Sequence, residues 1–256
     1  MAIKRRKRAT TERLASSAQD QIAGKIAVIT GASHGIGLEI ARALAARRCN
    51  LALAARSFHL LSEAARELGK NRIKVLQRPC DVRVESSVEE FFDAAFNEFG
   101  RVDFLINNAG IAHELASIEK LNPLVWSDVI QTNLDGLFYC THYALPLMKA
   151  GSTIVNNLSV AAQGQFPGHA AYNASKWGGL GFTNTLREEL RERRIRVVAL
   201  IPGPTNTDIW EQFWPDRPRD RMMTAASVAQ AVVACLELPP EAVVEEIKLR
   251  PIGGTL

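Results

Sequence analysis

Near the start of this 256-residue chain, Lys25-Ile-Ala-Val-Ile-Thr30 is followed at once by Gly31-Ala-Ser-His-Gly-Ile-Gly37, and these thirteen residues are the most informative about the fold. The first six of them are mostly apolar and partly β-branched, which predicts a strand. The three glycines predict a tight turn, and Leu38–Arg48 then has the periodicity and the strong formers of a helix. Because the N–H groups at a helix start attract phosphate, this strand, turn and helix indicate a site for a dinucleotide pyrophosphate.

The alternation of strand and helix continues to the end of the chain. Further strands are predicted at residues 50–55, 73–77, 102–106, 152–158, 195–201 and 243–249. Helices are predicted at residues 60–68, 87–99, about 122–149, about 169–193 and 227–238. This pattern is typical of an α/β protein, and it predicts a single Rossmann-fold domain with a doubly wound parallel sheet of about seven strands and helices on both faces. In such a fold, ligands bind at the carboxyl ends of the strands.

Residues 1–23 are polar and basic, and we expect them to be a flexible extension of a domain that spans residues 24–256. Residues 1–20 hold six basic and two acidic side chains, so they account for the whole net charge of +4. A basic segment of this kind can contact nucleic acid or acidic lipid. Because no aromatic residues alternate with its charges, we favour a solvated extension and expect no nucleic-acid partner.

The composition, with 47% apolar and 23% charged residues, is that of a globular domain. No run of about 18 apolar residues predicts a membrane span, and no apolar segment follows the basic start as it would in a secretory signal. The four cysteines lie far apart, without the spacing of a zinc site or a disulfide framework. We therefore expect no metal, four buried thiols and a cytoplasmic location.

Tyr172-Asn-Ala-Ser-Lys176 places two ionisable side chains four residues apart, which on a helix stacks them on one face. An ammonium one turn away favours a phenolate and lowers the pKa of the phenol, so the pair can act as an acid–base unit. The alternative is an exposed helix face that carries an amphipathic Tyr and a Lys. The spacing by itself does not separate the two interpretations.

Arg56 and Asp81 follow two predicted strands and bear on a nucleotide site. An acidic residue at the end of the second strand binds an NAD ribose, but this chain has Ala55-Arg56 there. An arginine pairs with a 2′-phosphate and favours NADP, whereas the alternative is a solvated surface arginine. Asp81 can accept a hydrogen bond from an adenine amino group, or cap the helix that starts near Glu85, or do both.

Two more strand ends carry informative residues. Asn107-Asn-Ala-Gly110 consists of small and amide residues that let the backbone approach a flat ligand. Aromatic side chains follow the strand that ends at Ile201, in an irregular stretch, and suit a substrate lid; an ordinary hydrophobic contact explains them equally well. These residues are Trp210, Phe213 and Trp214.

Residues 24–249 resemble the short-chain dehydrogenase/reductase family. Four features agree in order: Thr30-Gly31-x-x-x-Gly35-x-Gly37, Asn107-Asn-Ala-Gly110, Ser159 thirteen residues before Tyr172, and Tyr172-x-x-x-Lys176. The glycine spacing differs from the common G-x-G-x-x-G but agrees with this family. Each feature is weak alone, whereas all four in this order on a β/α alternation are specific.

The resemblance implies a catalytic role for four residues. Tyr172 would be the general acid and base, and Lys176 would bind the nicotinamide ribose and lower the pKa of Tyr172. Ser159 would hydrogen-bond the substrate oxygen, and Asn133 would hold a water in a proton relay to Lys176. Trp210, Phe213 and Trp214 are the expected substrate contacts.

The resemblance also implies a cofactor site along the strand ends. Its expected residues, besides Tyr172 and Lys176, are Gly31, Ser33, His34, Gly35, Ile36, Gly37, Arg56, Asp81, Val82, Asn108, Ala109, Gly110, Pro202, Gly203, Thr205 and Thr207. The glycines would line the pyrophosphate turn, Asp81 would touch adenine, and Pro202, Gly203 and Thr207 would flank the nicotinamide. His34 stands where many NADP-preferring relatives have an arginine, so the expectation of NADP over NAD depends mainly on Arg56.

The resemblance thus implies an oxidoreductase that transfers a hydride between NADP(H) and a carbonyl or secondary alcohol of ketone, aldehyde or 3-oxoacyl and hydroxy-acid type. The alternative is a non-catalytic nucleotide-binding protein on the same fold. It also implies a homotetramer or homodimer formed through the helices near residues 122–149 and 169–193. The sequence selects no substrate.

Overall fold

The computed structural model describes residues 21–239 and 241–254. Its strands are β1 (Ile26–Thr30), β2 (Asn50–Ala55), β3 (Val75–Pro79), β4 (Phe104–Asn107), β5 (Thr153–Asn157), β6 (Arg196–Pro202), β7 (Thr205–Asn206), β8 (Met223–Thr224) and β9 (Glu246–Leu249). Its α-helices are α1 (Gly35–Ala45), α2 (Phe58–Gly69), α3 (Glu85–Phe99), α4 (Pro123–Ile130), α5 (Gly136–Ala144), α6 (Ala170–Glu189), α7 (Ile209–Phe213) and α8 (Ala225–Leu236).

Seven strands form one parallel sheet in the order β3-β2-β1-β4-β5-β6-β9, and the predicted Rossmann-like fold is confirmed. The chain builds outward from β1 to β3, and then crosses back to place β4 on the other side of β1. The strand order therefore reverses between β1 and β4. A crevice opens at the carboxyl ends of the strands at such a reversal, and it is the place where ligands bind in this fold.

Helices cover both faces of the sheet, as the sequence predicts. Ala27 and Ile29 of β1 pack in a buried layer that also holds α1, α2 and α8. Val28, which points the opposite way, packs in a second layer with α3, α5 and α6. Strands covered on both faces need apolar side chains at every position, which explains the continuous apolar runs in the sequence.

The first described turn belongs to the folded body. Ile22 is fully buried and packs in the core, and Gly24 N donates to Arg48 O at 2.9 Å. Ile22, an apolar side chain within a polar stretch, thus reaches the core, while the domain boundary at residue 23 stays a prediction. The basic residues 1–20 lie outside the described residues, and their flexibility stays a prediction. In the part of the chain that is described, no helix is long and apolar enough to cross a membrane.

The single helix predicted at residues 122–149 is interrupted. Asn122 caps α4 as predicted, because its side chain accepts a hydrogen bond from Leu124 N at 2.9 Å. A π-helical turn at Gln131–Asp135 then separates α4 from α5, and Gly136 N donates to Gln131 O across five residues. Such turns insert one extra residue and are common at functional sites. The inserted turn contains Asn133.

A small second sheet was not predicted. β7 and β8 pair in parallel, with Thr205 opposite Met223 and Asn206 opposite Thr224. The intervening segment, Thr207–Met222, starts and ends at this sheet, and we call it the lid segment. Two-residue strands carry too little periodicity to be found in a sequence. Their pairing fixes both ends of the stretch that holds Trp210 and Trp214.

Candidate active site

A cavity of about 600 Å³ lies at the carboxyl ends of the strands, a size that suits a cofactor or a drug-sized ligand. The sequence-predicted residues on its wall are Gly31, Ser33, His34, Gly35, Ile36, Arg56, Asp81, Val82, Asn108, Ala109, Gly110, Ser159, Tyr172, Lys176, Pro202, Gly203, Thr205, Thr207, Trp210 and Trp214. The lining residues span the sequence from Gly31 to Arg217, so segments that are distant along the chain meet at one opening. Two other expected residues, Gly37 and Asn133, are not among the residues on this wall.

The glycine turn packs directly against the start of the Asn107–Gly110 segment. A Cβ atom on Gly31 would lie 2.9 Å from Ala109 Cα, and one on Gly37 would lie 2.4 Å from both Gly31 O and Asn108 Nδ2. Asn108 Nδ2 donates to the carbonyl oxygens of Thr30 and Gly31, both at 3.0 Å. Gly37 therefore supports the turn from behind, and its role is packing rather than contact with a ligand.

The start of α1 is suited to an anion. His34 precedes the helix in an extended conformation and makes no side-chain capping hydrogen bond, so the first N–H groups of α1 have no cap. These groups and the positive end of the helix dipole attract phosphate. No acidic residue lies in the first turn. Together with the close-packed glycines, this geometry fits the pyrophosphate of a dinucleotide.

Asp81 is held by an arginine that the sequence reasoning missed. Arg83 forms a bidentate pair with Asp81, with Nη2 2.7 Å from Oδ2 and Nε 3.0 Å from Oδ1, and its Nη1 lies 3.0 Å from Asp128 Oδ1. This hydrogen-bonded pairing lowers the pKa of the Asp81 carboxyl. The alternative that Asp81 caps α3 is wrong, because the capping position belongs to Val84, and Asp81 Oδ1 accepts from Arg83 N instead.

Arg56 lies at the end of β2 with its side chain exposed, on the wall of the cavity. Its neighbour Ser57 caps α2, because Ser57 Oγ accepts a hydrogen bond from Leu60 N at 3.4 Å. Arg56 is close enough to Asp81 to help lower the pKa of that carboxyl. The cavity wall near β2 therefore carries an exposed guanidinium, and no acidic residue follows this strand directly.

Tyr172 and Lys176 lie on the first turns of α6 and both reach the cavity. Lys176 is 6% exposed, and its Nζ donates to Asn157 O at 3.0 Å and lies 5.6 Å from the centre of the Tyr172 ring. Burial raises the pKa of Tyr172, while a hydrogen bond with Ser159 lowers it. The pKa of Tyr172 is therefore raised overall, because burial outweighs the hydrogen bond with Ser159, and the expectation that Lys176 lowers this pKa stays a prediction.

Asn133 lies behind this pair rather than on the cavity wall. Its Oδ1 accepts from Ile111 N at 2.8 Å, and its Nδ2 donates to Ile111 O at 2.9 Å and to Ser175 Oγ at 3.0 Å. A Cβ on Gly110 would lie 3.2 Å from Asn133 Oδ1 and 3.5 Å from Lys176 Nζ, so both side chains approach the same glycine. The side chain of Asn133 therefore joins the loop that follows β4 to α6. Its part in a proton relay stays a prediction.

Asn157, which the sequence reasoning did not select, holds Lys176 through its backbone. Its side-chain Nδ2 donates to Asn108 Oδ1 at 2.8 Å, and Asn108 in turn donates to the glycine turn. A series of hydrogen bonds therefore joins the glycine turn to Asn108 after β4 and to Asn157 at the end of β5, whose carbonyl accepts from Lys176 Nζ. The only sequence signal for this role of Asn157 is an amide side chain at the end of a strand, and that signal is too common to identify the residue.

The lid segment contributes aromatic side chains to the wall. Trp210 Nε1 donates to Thr205 O at 2.8 Å, and the guanidinium carbon of Arg217 lies 4.0 Å from the centre of the Trp214 ring. The side chain of Phe213 lies outside the described residues, so its predicted substrate contact stays a prediction. Phe166, His169 and Arg217 also line the cavity and were missed, since irregular segments give no periodic signal.

Burial of Lys176 should make stability depend on pH. Burial lowers its pKa from 10.5 to about 8, so between these values the unfolded chain binds more protons, and stability rises as pH increases. Lys176→Met lacks this titration. The free energy of unfolding of the wild type should therefore rise relative to that of the variant by up to about 3 kcal/mol from about pH 8 to about pH 10.5. Urea unfolding of both proteins measures this, and a pH-independent difference would contradict it.

Comparisons with known proteins show which family this chain belongs to. Residues 25–218 match the family model described as short chain dehydrogenase. The chain is 33% identical over 244 residues to farnesol dehydrogenase from Aedes aegypti, an alignment that covers 91% of this chain and 98% of that protein.

Two solved structures are also similar. One is an alcohol dehydrogenase from the archaeon Thermococcus sibiricus complexed with 5-hydroxy-NADP, with a TM-score of 0.83 and 32% identity over 89% of this chain and 97% of that one. The other is a 3-ketoacyl-(acyl-carrier-protein) reductase from Brucella melitensis complexed with NADH, with a TM-score of 0.81 and 29% identity over 89% of this chain and 97% of that one.

Proposed function

Because this chain belongs to the short-chain dehydrogenase/reductase family, we propose that it transfers a hydride between NADP(H) and a carbonyl or secondary alcohol. The observation that carries the proposal is the meeting of Ser159, Tyr172 and Lys176 with the glycine turn on one cavity wall. The open start of α1 would hold the pyrophosphate, and Lys176 would bind the nicotinamide ribose. When bound, the nicotinamide supplies or accepts the hydride.

The side chains of this chain would handle the proton. In the reducing direction, negative charge develops on the carbonyl oxygen, and the hydroxyls of Ser159 and Tyr172 are donors suited to that oxygen. Burial raises the pKa of Tyr172, so the phenol is protonated at neutral pH and ready to donate. Oxidation of the alcohol runs the same steps in reverse, with Tyr172 accepting the proton.

The proposal of NADP rests on Arg56. The two similar structures contain 5-hydroxy-NADP in one case and NADH in the other, so similarity alone does not favour either cofactor. A 2′-phosphate carries negative charge that NAD lacks, and the exposed guanidinium at the end of β2 is a suitable partner for it. No carboxylate directly follows β2 to bind a free 2′-hydroxyl.

Arg56→Asp should therefore reverse the cofactor preference. A carboxylate repels the 2′-phosphate and can accept from a ribose hydroxyl, so we expect the Kd of NADPH to rise about 30-fold or more while that of NADH changes about threefold or less. Fluorescence titration with each cofactor measures both constants. Arg66→Asp, on the exposed side of α2, is the control for a general change of charge, and equal weakening of both cofactors by Arg56→Asp would contradict the proposal.

We further propose that the protein forms a homodimer or homotetramer. Large apolar side chains on three neighbouring helices are exposed: Leu124 on α4 at 75%, Phe138 on α5 at 49% and Trp177 on α6 at 47%. Exposed apolar patches commonly mark sites of association. A monomeric mass in solution, measured by light scattering, would contradict this proposal.

A further inference from the structure

Arg217 differs from the other arginines of the lid segment. It lines the cavity, and its guanidinium carbon lies 4.0 Å from the centre of the Trp214 ring. Stacking on an aromatic face holds a guanidinium in a fixed plane, with its N–H groups directed outward from the ring edge. Arg217 therefore places a guanidinium held against Trp214 on the cavity wall.

The guanidinium of Arg217 is not fully paired within the described part of the chain. Its Nε is buried and has no hydrogen-bond partner there. Arg219 shows the contrast, because its Nη1 donates to Asn206 Oδ1 at 3.2 Å and to Thr207 O at 2.9 Å. A buried charged donor without a partner is costly, so a bound ligand that supplies an acceptor would remove that cost.

The charge of the cavity wall indicates what that ligand is. Asp81 is the one carboxylate among the described wall residues, and Arg83 already pairs with it. Lys176, Arg56 and Arg217 are the lysine and arginine side chains of the described wall, which also holds His34 and His169. Arg56 follows β2, whereas the lid segment follows β7, so the two arginines come from different parts of the chain.

We infer that Arg217, stacked on Trp214, is a specificity-determining residue that binds the carboxylate of an anionic substrate. This inference rests on the proposed function and deepens it, because it selects oxo acids and hydroxy acids from the broader class of carbonyl compounds and alcohols. The fork of N–H donors matches a carboxylate, and the stacked geometry spares the cost of ordering the side chain. The neighbouring Trp210 and Phe166 would contact the apolar part of the substrate.

A cofactor phosphate offers the same chemistry and must be distinguished. A Cβ on Gly35 would lie 3.4 Å from Thr207 Cγ2, so the start of the lid segment approaches the glycine turn. We favour the substrate, because the uncapped start of α1 and the glycine turn already provide donors for the pyrophosphate. A loss of cofactor affinity on replacing Arg217 would show that the phosphate is its partner and would overturn the inference.

The test measures binding, so it does not depend on turnover. Isothermal titration of the NADP⁺-saturated protein, whose oxidised cofactor cannot reduce a ketone, with 4-oxopentanoate and with its methyl ester compares a carboxylate with a neutral molecule of similar shape. We expect the wild type to prefer the carboxylate, and Arg217→Gln to weaken carboxylate binding about 10- to 100-fold while ester and NADPH affinities stay within about threefold. Arg217→Lys keeps the charge but loses the forked pair of N–H donors, so its carboxylate affinity should lie between those of the wild type and Arg217→Gln.

Arg221→Gln is the matched control, since Arg221 is an exposed arginine of the same segment. It should leave all three affinities unchanged, and thermal unfolding of each variant shows whether it is folded. The inference is overturned if the wild type binds the carboxylate no better than the ester, or if Arg217→Gln weakens both probes equally. If turnover is absent but the carboxylate preference depends on Arg217, the proposed function fails while the anion site stands.

Discussion

Tyr172→Phe should lower kcat by about 10²- to 10⁴-fold, the contribution of a positioned general acid. Phenylalanine keeps the ring that lies 5.6 Å from Lys176 Nζ and removes only the hydroxyl that bonds with Ser159. The proposed pyrophosphate site at the glycine turn is untouched. The Kd of NADPH should therefore stay within about threefold of the wild-type value, as measured by fluorescence titration beside steady-state rates.

Tyr143→Phe is the matched control for this change. The Tyr143 hydroxyl donates to Glu85 on the exposed side of α5, at 3.2 Å, and its loss should leave kcat unchanged. Turnover by Tyr172→Phe at the wild-type rate would remove Tyr172 from the mechanism. If the wild type binds NADPH but turns over no carbonyl compound or alcohol, the chain is a nucleotide-binding protein instead of an enzyme.

Among glycine-to-alanine substitutions near the site, we expect Gly37→Ala to be the most destabilising. The new Cβ would lie 2.4 Å from Gly31 O and from Asn108 Nδ2, and both atoms are held by the hydrogen bonds that close the turn. Relief of this overlap requires a shift of the turn or of β4, which should cost about 3 kcal/mol or more. For a chain of this size, that cost lowers Tm by about 6–12 °C, measured by calorimetry.

The matched control is Gly181→Ala. Gly181 lies on α6, and a Cβ there would meet no atom within 4 Å. Alanine in an exposed helix position should raise stability by about 0.5–1 kcal/mol. Equal stability of Gly37→Ala and the wild type would mean that the turn is softer than its contacts indicate. NADPH should also bind more weakly to Gly37→Ala, because the displaced turn carries the N–H groups proposed to bind the pyrophosphate.

Much of the site could be predicted because its residues follow directly after strands. Gly31, Asn108 and Ser159 stand where a parallel sheet brings its strand ends together, so their order along the chain determines that they share one opening. Tyr172 and Lys176 follow from helical spacing in the same way. In each case a local pattern, read with the alternation of strands and helices, is enough to locate the side chain.

The rest could not be predicted, because it depends on contacts between distant segments. Arg83 gains its role from Asp81 and Asp128, and only the packed structure brings the three together. The pKa of Tyr172 depends on burial, which the Tyr-x-x-x-Lys spacing does not describe. Arg217 resembles its neighbours in composition, and it is distinguished only by its stacking on Trp214 and its lack of a hydrogen-bond partner in the described chain.

The π-helical turn at Gln131–Asp135 constrains how this chain can evolve. An α-helix turns by about 100° per residue, so loss of one residue from the turn would rotate α4 by that angle relative to α5. Asn133 would then face away from Ile111 and Ser175, which it now joins. In homologous chains, this helix should therefore vary by substitution but keep its length. Exposed helices elsewhere can gain or lose residues at their ends.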